Sequence, residues 1–120
     1  MTERITTIAK ITNTFLGIED HGILTAYLNL DYGGSGQGAG FYSFDQYDNN
    51  NKLIGYSGCA IFIRRVLEVC GVDSWEKLKG RTILALHNED DGYHGTVRGI
   101  APLPTEKGTP FIFANVFEQI

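Results

Sequence analysis

Cysteine, proline and tryptophan are scarce in this 120-residue chain, at two, three and one copies, and Lys and Arg together number only ten. Each scarcity excludes something. Two cysteines without histidine at zinc-finger spacing make no structural zinc site. Cys59 and Cys70 fall within one predicted helix, about 16 Å apart and beyond disulfide reach, so buried reduced thiols are expected. Ten cations against 14 carboxylates give a formal net charge of −4, the wrong balance for neutralising the phosphates of polymeric DNA or RNA. No run approaches the ~20 apolar residues of a membrane span. Met1-Thr2-Glu3-Arg4 lacks the basic start and apolar stretch of a signal peptide, and the expectation is a cytoplasmic protein with no membrane partner. Glycine is abundant instead: 15 copies, where average usage gives about eight.

A hydrophobic content of 42% suffices for one domain over residues 1–120 that needs neither metal nor disulfide. Residues 11–15 are β-branched and aromatic. Over 23–31, Leu24, Ala26, Leu28 and Leu30 alternate with Thr25, Tyr27, Asn29 and Asp31, as in a strand with one face on a core. The glycine-rich segment 31–40 predicts a long hairpin tip leading to a second strand over 41–44, and 45–52 predicts a surface loop. A helix is predicted from Ser57, a candidate N-cap, to Cys70, with Gly71 as left-handed C-cap. Cys59, Phe62, Ile63, Val66, Leu67 and Cys70 form its apolar stripe, while Arg64, Arg65 and Glu68 gather on another side. Asp73 and Glu76 have capping-box spacing for a short helix closed by Gly80. Strands over 81–87 and 95–101 flank the loop 88–94, and 110–117 is a last strand or a helical turn. The expected fold is α+β: an antiparallel sheet packed with one long and one short helix in a single domain.

The strongest local signal for chemistry is Gly33, Gly34, Ser35, Gly36, Gln37 and Gly38. Glycines take positive φ and, lacking Cβ, let backbone N–H groups converge on an anion, so a phosphate-bearing small ligand suits the segment. It has neither the Lys-Ser/Thr ending of a Walker A loop nor the spacing of the dinucleotide fingerprint, and a plain hairpin tip has the same composition. Arg64 and Arg65 are the only adjacent arginines. Either Arg64 pairs with Glu68 at i,i+4 on an exposed face, or a guanidinium at the margin of the packed face binds phosphate in bidentate fashion. Arg98 raises the same alternative, and Asn88 either closes a turn or hydrogen-bonds a base edge. Tyr32, Phe41, Tyr42, Phe44, Tyr47 and Tyr56 crowd the glycine segment; core packing accounts for most, and one or two could stack on a base. Glu19-Asp20-His21 and residues 88–94 set carboxylates beside a histidine. In glycine-containing turns such groups are usually solvated or capping, so no metal and no cofactor is expected. No nucleophile has a base beside it, and no catalytic residue is assigned.

The run Ile11-Thr12-Asn13-Thr14-Phe15-Leu16-Gly17-Ile18-Glu19-Asp20-His21-Gly22-Ile23-Leu24-Thr25 is followed by Leu30-Asp31-Tyr32-Gly33-Gly34-Ser35-Gly36-Gln37-Gly38. These, with Arg65-Val66-Leu67-Glu68-Val69-Cys70-Gly71-Val72 and Ser74-Trp75-Glu76-Lys77-Leu78-Lys79-Gly80, resemble the first family of phage Thoeris anti-defence proteins. The resemblance covers residues 11–86 and weakens after Asn88. It implies a non-catalytic viral α+β protein acting as a sponge in the cytoplasm of the infected host. Such a sponge binds cyclic ADP-ribose-type immune signals, glycocyclic ADP-ribose among them, and holds them away from their effector without degrading them. The resemblance further implies a homo-oligomer, a dimer or hexamer, with messenger pockets between protomers, and a second site for the cyclic di- and trinucleotides of CBASS immunity. It assigns Arg65 to the ligand, with Arg64 as the neighbour able to substitute. Asn88 and Arg98 lie where the resemblance weakens and stand on their chemistry alone. Two alternatives stay open: an enzyme cleaving the same messengers with His21 or His94 as acid or base, and a phage structural or interaction protein whose aromatics build an oligomer surface.

Overall fold

One long strand organises the molecule. The structure, a computed structural model, describes residues 4–91 and 95–117, and β1 (Arg4–Ile18) runs through 15 of them. It reaches well back from the predicted 11–15 because Ile5, Thr6, Thr7 and Ile8 continue the β-branched run. Its first half pairs antiparallel with β6 (Thr82–Asn88), from Arg4↔Asn88 to Lys10↔Thr82. Its second half pairs with β2 (Leu24–Asp31), from Lys10↔Asp31 to Ile18↔Leu24. Together with β3 (Gly36–Gly40), β7 (Gly99–Ala101) and β8 (Phe111–Ile112), these strands form a six-stranded antiparallel sheet in the order β3-β2-β1-β6-β7-β8. Among the described residues, no strand lies along the second edge of residues 13–18.

The glycine segment departs from expectation. The chain turns over 32–35, where Tyr32 N–H donates to Ser35 O at 2.7 Å, and from Gly36 onward it is strand, paired with β2 from Asp31↔Gly36 to Tyr27↔Gly40. Close approach requires glycine at its two ends: a Cβ at Gly36 would stand 2.8 Å from Leu30 O and one at Gly40 2.6 Å from Ala26 O. Residues 41–44 therefore are not the returning strand, and Phe41 leaves the ladder with φ +71°. The predicted loop 45–52 holds a small hairpin, β4 (Gln46–Tyr47) with β5 (Leu53–Ile54). Its turn is built by the Asp48 carboxylate, which accepts Asn50 N–H at 2.8 Å and Lys52 N–H at 2.9 Å.

Helix α1 (Ser57–Cys70) has the predicted limits and ends at Gly71 with φ +67°. Tyr56 occupies the N-cap and no side chain caps the helix, so Ser57 is its first residue and not its cap. The predicted short helix is a single 3-10 turn, Trp75–Lys77, with Ser74 at its cap position. The capping box does not form, and Asp73 Oδ1 instead accepts from Lys77 Nζ at 2.7 Å. The final segment realises both predicted alternatives in succession, β8 and then a 3-10 turn, Phe113–Asn115.

The fold is thus α+β, and its core lies where α1 packs on β6, β7 and β8. Phe62, Val66, Val69 and Cys70 are buried there with Ile11, Leu28, Ile83, Ala85 and Ile100. Phe44, Phe62, Phe111, Phe113 and Phe117 form a buried cluster with ring centroids 5.3–6.1 Å apart. Cys59 and Cys70 are free thiols, and burial pushes the Cys70 thiol up to about 12. His87 is fully buried. Its Nδ1 lies 3.2 Å from Thr96 O and its Nε2 2.8 Å from Tyr32 Oη. Because a carbonyl only accepts, Nδ1 carries the donated proton, and Nε2 is joined to the Tyr32 hydroxyl. This bond ties the end of β2 to β6 across β1. Among the described residues no helix is long and apolar enough to cross a membrane.

Candidate functional site

Asn29, Asp31, Gly36 and Gly38 share the side of the sheet opposite the buried Leu28, Leu30 and Ala39. With Thr12, Ser35 and Gln37 they line a wide, shallow depression of about 770 Å³. Gly36 leaves part of it without a side chain. The turn's backbone donors already hold an anion: Asp31 Oδ1 accepts Gly33 N–H at 2.9 Å and Gly34 N–H at 3.3 Å. Those two bonds, with Lys10 nearby, hold the Asp31 carboxyl below the usual carboxylate range. The position expected for a phosphate at Gly33 and Gly34 is therefore filled by the chain's own carboxylate. What remains around the depression is a carboxylate, the Asn29 amide and hydroxyls, a set suited to ribose hydroxyls and base edges more than to phosphate.

The helix arginines lie elsewhere. Arg65 Nη1 donates to Glu68 Oε1 at 2.6 Å, and Nη2 donates to Thr109 O at 3.0 Å and Thr109 Oγ1 at 2.9 Å. Its guanidinium carbon stands 5.7 Å from the Phe111 ring centroid. Arg65 thus fastens α1 to the chain entering β8. Arg64 is exposed and pairs with Glu68 at i,i+4, Nε to Oε2 at 3.2 Å. The hydrogen bond from Arg65 and the charges of both arginines hold the Glu68 carboxyl low.

Asn88 and Arg98, by contrast, are brought together, and a third residue joins them. A cleft of about 90 Å³ at the end of β1 and β6 is lined by Arg4, Asn88, Arg98, Ile112 and Ala114. Arg4 Nη1 donates to Asn88 Oδ1 at 2.7 Å, across the register pair that begins the β1–β6 ladder. Two guanidiniums and an amide on one small cleft are the donors a phosphate takes. Sequence reasoning missed Arg4 because the strand predicted there began at residue 11. The signal was the short β-branched run that follows Arg4.

The aromatics divide among several places: Tyr32 packs edge-on against His87 and Tyr47 is exposed on β4. Tyr42, Phe44 and Tyr56 join the core cluster. Phe41 stacks on Tyr27 with centroids 4.5 Å apart and planes 10° apart, and Tyr27 stacks on Phe15 at 5.4 Å and 20°. This ladder crosses the sheet on the side away from α1. Beside it a groove of about 220 Å³ is lined by Glu19, Ile23, Thr25, Tyr27, Phe41 and Ser43. His21, considered as an acid or base, is exposed in the β1–β2 turn with Nδ1 2.9 Å from Glu19 Oε2. The interaction raises the His21 pKa and lowers that of Glu19. His94, the other such candidate, lies outside the described residues. Among the described residues no group of three His, Cys, Asp or Glu is placed to hold a metal ion. Comparison with protein-family models, with curated proteins and with solved structures finds no match to this chain.

Proposed function

We propose that the protein binds and sequesters cyclic nucleotide immune messengers of the cyclic ADP-ribose type in the host cytoplasm without cleaving them, with cyclic di- and trinucleotides as a second ligand class. The observation that supports this reading is a separation of chemistries on one sheet. The Arg4, Asn88 and Arg98 cleft suits phosphate, and the depression around Asp31 and Asn29 suits ribose and base. Arg64 and Arg65 offer a further cationic position at the α1 surface.

The two chemistries are far apart within one chain. Arg4 begins β1 and Asp31 stands opposite Lys10, a separation of roughly 20 Å along a strand. A compact messenger does not span that length, so the reading includes a homo-oligomer, dimer or hexamer, that brings the depression of one protomer to the cleft or the helix arginines of another. The edge of residues 13–18, which contains no Pro, Lys or acidic residue to discourage pairing, is a surface where a second copy can add its own strand. The test is incubation with a panel of cyclic ADP-ribose isomers and cyclic di- and trinucleotides, following free ligand by liquid chromatography before and after heat denaturation. Depletion followed by release of unchanged ligand is the expected result. A linear product would make the protein an enzyme, and no depletion would leave an interaction protein.

A further inference from the structure

We infer that the groove beside Phe41 seats a nucleobase, a flat heterocycle lying against Tyr27 and Phe41 with an exocyclic amino group on the Glu19 carboxylate. The inference deepens the reading above, on which it rests for the source of the base. The first observation is that Phe41 contradicts its local setting twice. Its backbone is at φ +71°, a region that bulky residues rarely enter and that glycine or asparagine enters cheaply. The residue is nevertheless 57% exposed, so burial does not repay the strain. Such residues persist where the surrounding structure holds them for function.

The ring is also firmly placed. It stacks on Tyr27 and lies over Gly38, where any Cβ would collide with Phe41 Cε2 and Cζ. Glycine at that position clears the space the ring occupies. The groove next to it holds about 220 Å³, below the ~300 Å³ at which pockets begin to enclose a whole drug-sized ligand, and so fits one ring system of a larger molecule. Ile23 supplies an apolar wall; the Thr25 hydroxyl donates to Tyr42 O at 2.7 Å, and the Ser43 hydroxyl, which accepts Asp45 N–H at 3.1 Å, keeps its own proton to donate.

Charge decides what kind of ring. Among the described residues, Glu19 is the one charged side chain lining the groove. It is fixed by His21 N–H at 2.6 Å, by His21 Nδ1 at 2.9 Å and by Ile23 N–H at 3.2 Å. A carboxylate offers about four acceptor positions, so capacity remains for a ligand donor. With an acceptor and no cation among the described lining residues, His21 lying behind Glu19 and outside that lining, the groove disfavours phosphate and favours an amine, and an aromatic wall favours the face or edge of a planar ring. An amino-bearing base such as adenine satisfies both.

The experiment titrates the full-length protein with adenosine, which carries no phosphate, and follows backbone amides by NMR. Saturable shifts at Thr25, Tyr27, Phe41 and Ser43 are expected, with weaker binding of inosine, which lacks the amino group. Phe41→Gly should leave the melting temperature within about 2 °C of the parent, because the backbone conformation becomes ordinary, and should weaken adenosine by about tenfold or more. Glu19→Gln should abolish the preference for adenosine over inosine. Should Phe41→Gly not fold, Phe41→Asn, which also accepts positive φ, serves in its place. Absence of shifts at these residues, or adenosine affinity unchanged in the Phe41 variant, overturns the inference. If the protein retains intact cyclic ADP-ribose yet ignores adenosine, this inference fails and the messenger reading stands; adenosine binding without messenger retention gives the reverse.

Discussion

Two groups of aromatic rings stand on opposite sides of this sheet. In the core, the five phenylalanines 44, 62, 111, 113 and 117 are at most 6% exposed, and all but one of their described ring pairs meet at interplanar angles of 43–78°. On the far side, the stacked pairs Phe15–Tyr27 and Tyr27–Phe41 lie within 20° of parallel, Phe15 and Tyr27 paired across β1 and β2 and Phe41 just past the end of β3. Buried rings take the tilted and edge-to-face contacts that close packing and the ring quadrupole favour. The ladder's orientation is set by the β1–β2 register and by the backbone turn at Phe41, and it leaves ring surface open to solvent. The first arrangement stabilises the fold; the second is organised by the fold and available to something else.

Substitutions can break that contrast. The largest expected effect is that of Phe62→Ala, which leaves a cavity among four other phenylalanines and should destabilise by about 3–5 kcal/mol in urea titration. Cys70 is buried in the same core, and burial pushes its thiol pKa up to about 12. In the parent, that raised value makes stability decline as pH rises from near 9, where the unfolded thiol ionises, towards about 12. Tyr32→Phe should lose about 1–3 kcal/mol, because the fully buried His87 ring loses the partner of its Nε2. Phe41→Gly sits at the other extreme: the lost stack and the relieved φ offset each other, and the change should be under ~0.5 kcal/mol. If it instead matched Phe62→Ala, the ladder would be a second core. The smallest effect is local. His21 should titrate above its ordinary value in an NMR pH series and return towards it in Glu19→Gln. The pair's contribution is lost as pH rises through the His21 value and, on the acid side, as pH falls through the lowered Glu19 value.

Much of the fold was legible where side chains alone determine the outcome. The alternation Leu24, Ala26, Leu28, Leu30 identified β2 because every second residue meets the core, and Gly71 ended α1 because only a left-handed cap fits there. The glycine strand was not legible. β3 has almost no side chains to pattern, and its conformation comes from hydrogen bonds to β2. The site was legible as chemistry and not as place. Asn88 and Arg98 were identified by functional group, but their meeting with Arg4 depends on a register between residues 84 positions apart. Asp31 as the anion of Gly33 and Gly34 was readable in principle, since Asp before glycines is a common side-chain turn. Phe41 was visible only as one aromatic among six, because its φ arises from how β3 ends.

The stagger of β1 also bears on how the molecule comes apart. Its halves serve different neighbours and overlap at Lys10 and Ile11, where Lys10 is registered against both Asp31 and Thr82 and Ile11 exchanges bonds of 2.7–2.8 Å with Gly80 and Arg81. This is a lap joint made of one strand. The β2–β3 half and the β6–β8 half cannot unzip from each other without first releasing that strand, so loosening either should be felt in both. The chain should therefore melt in a single transition, with the amide hydrogens around Lys10 and Ile11 among the last to exchange.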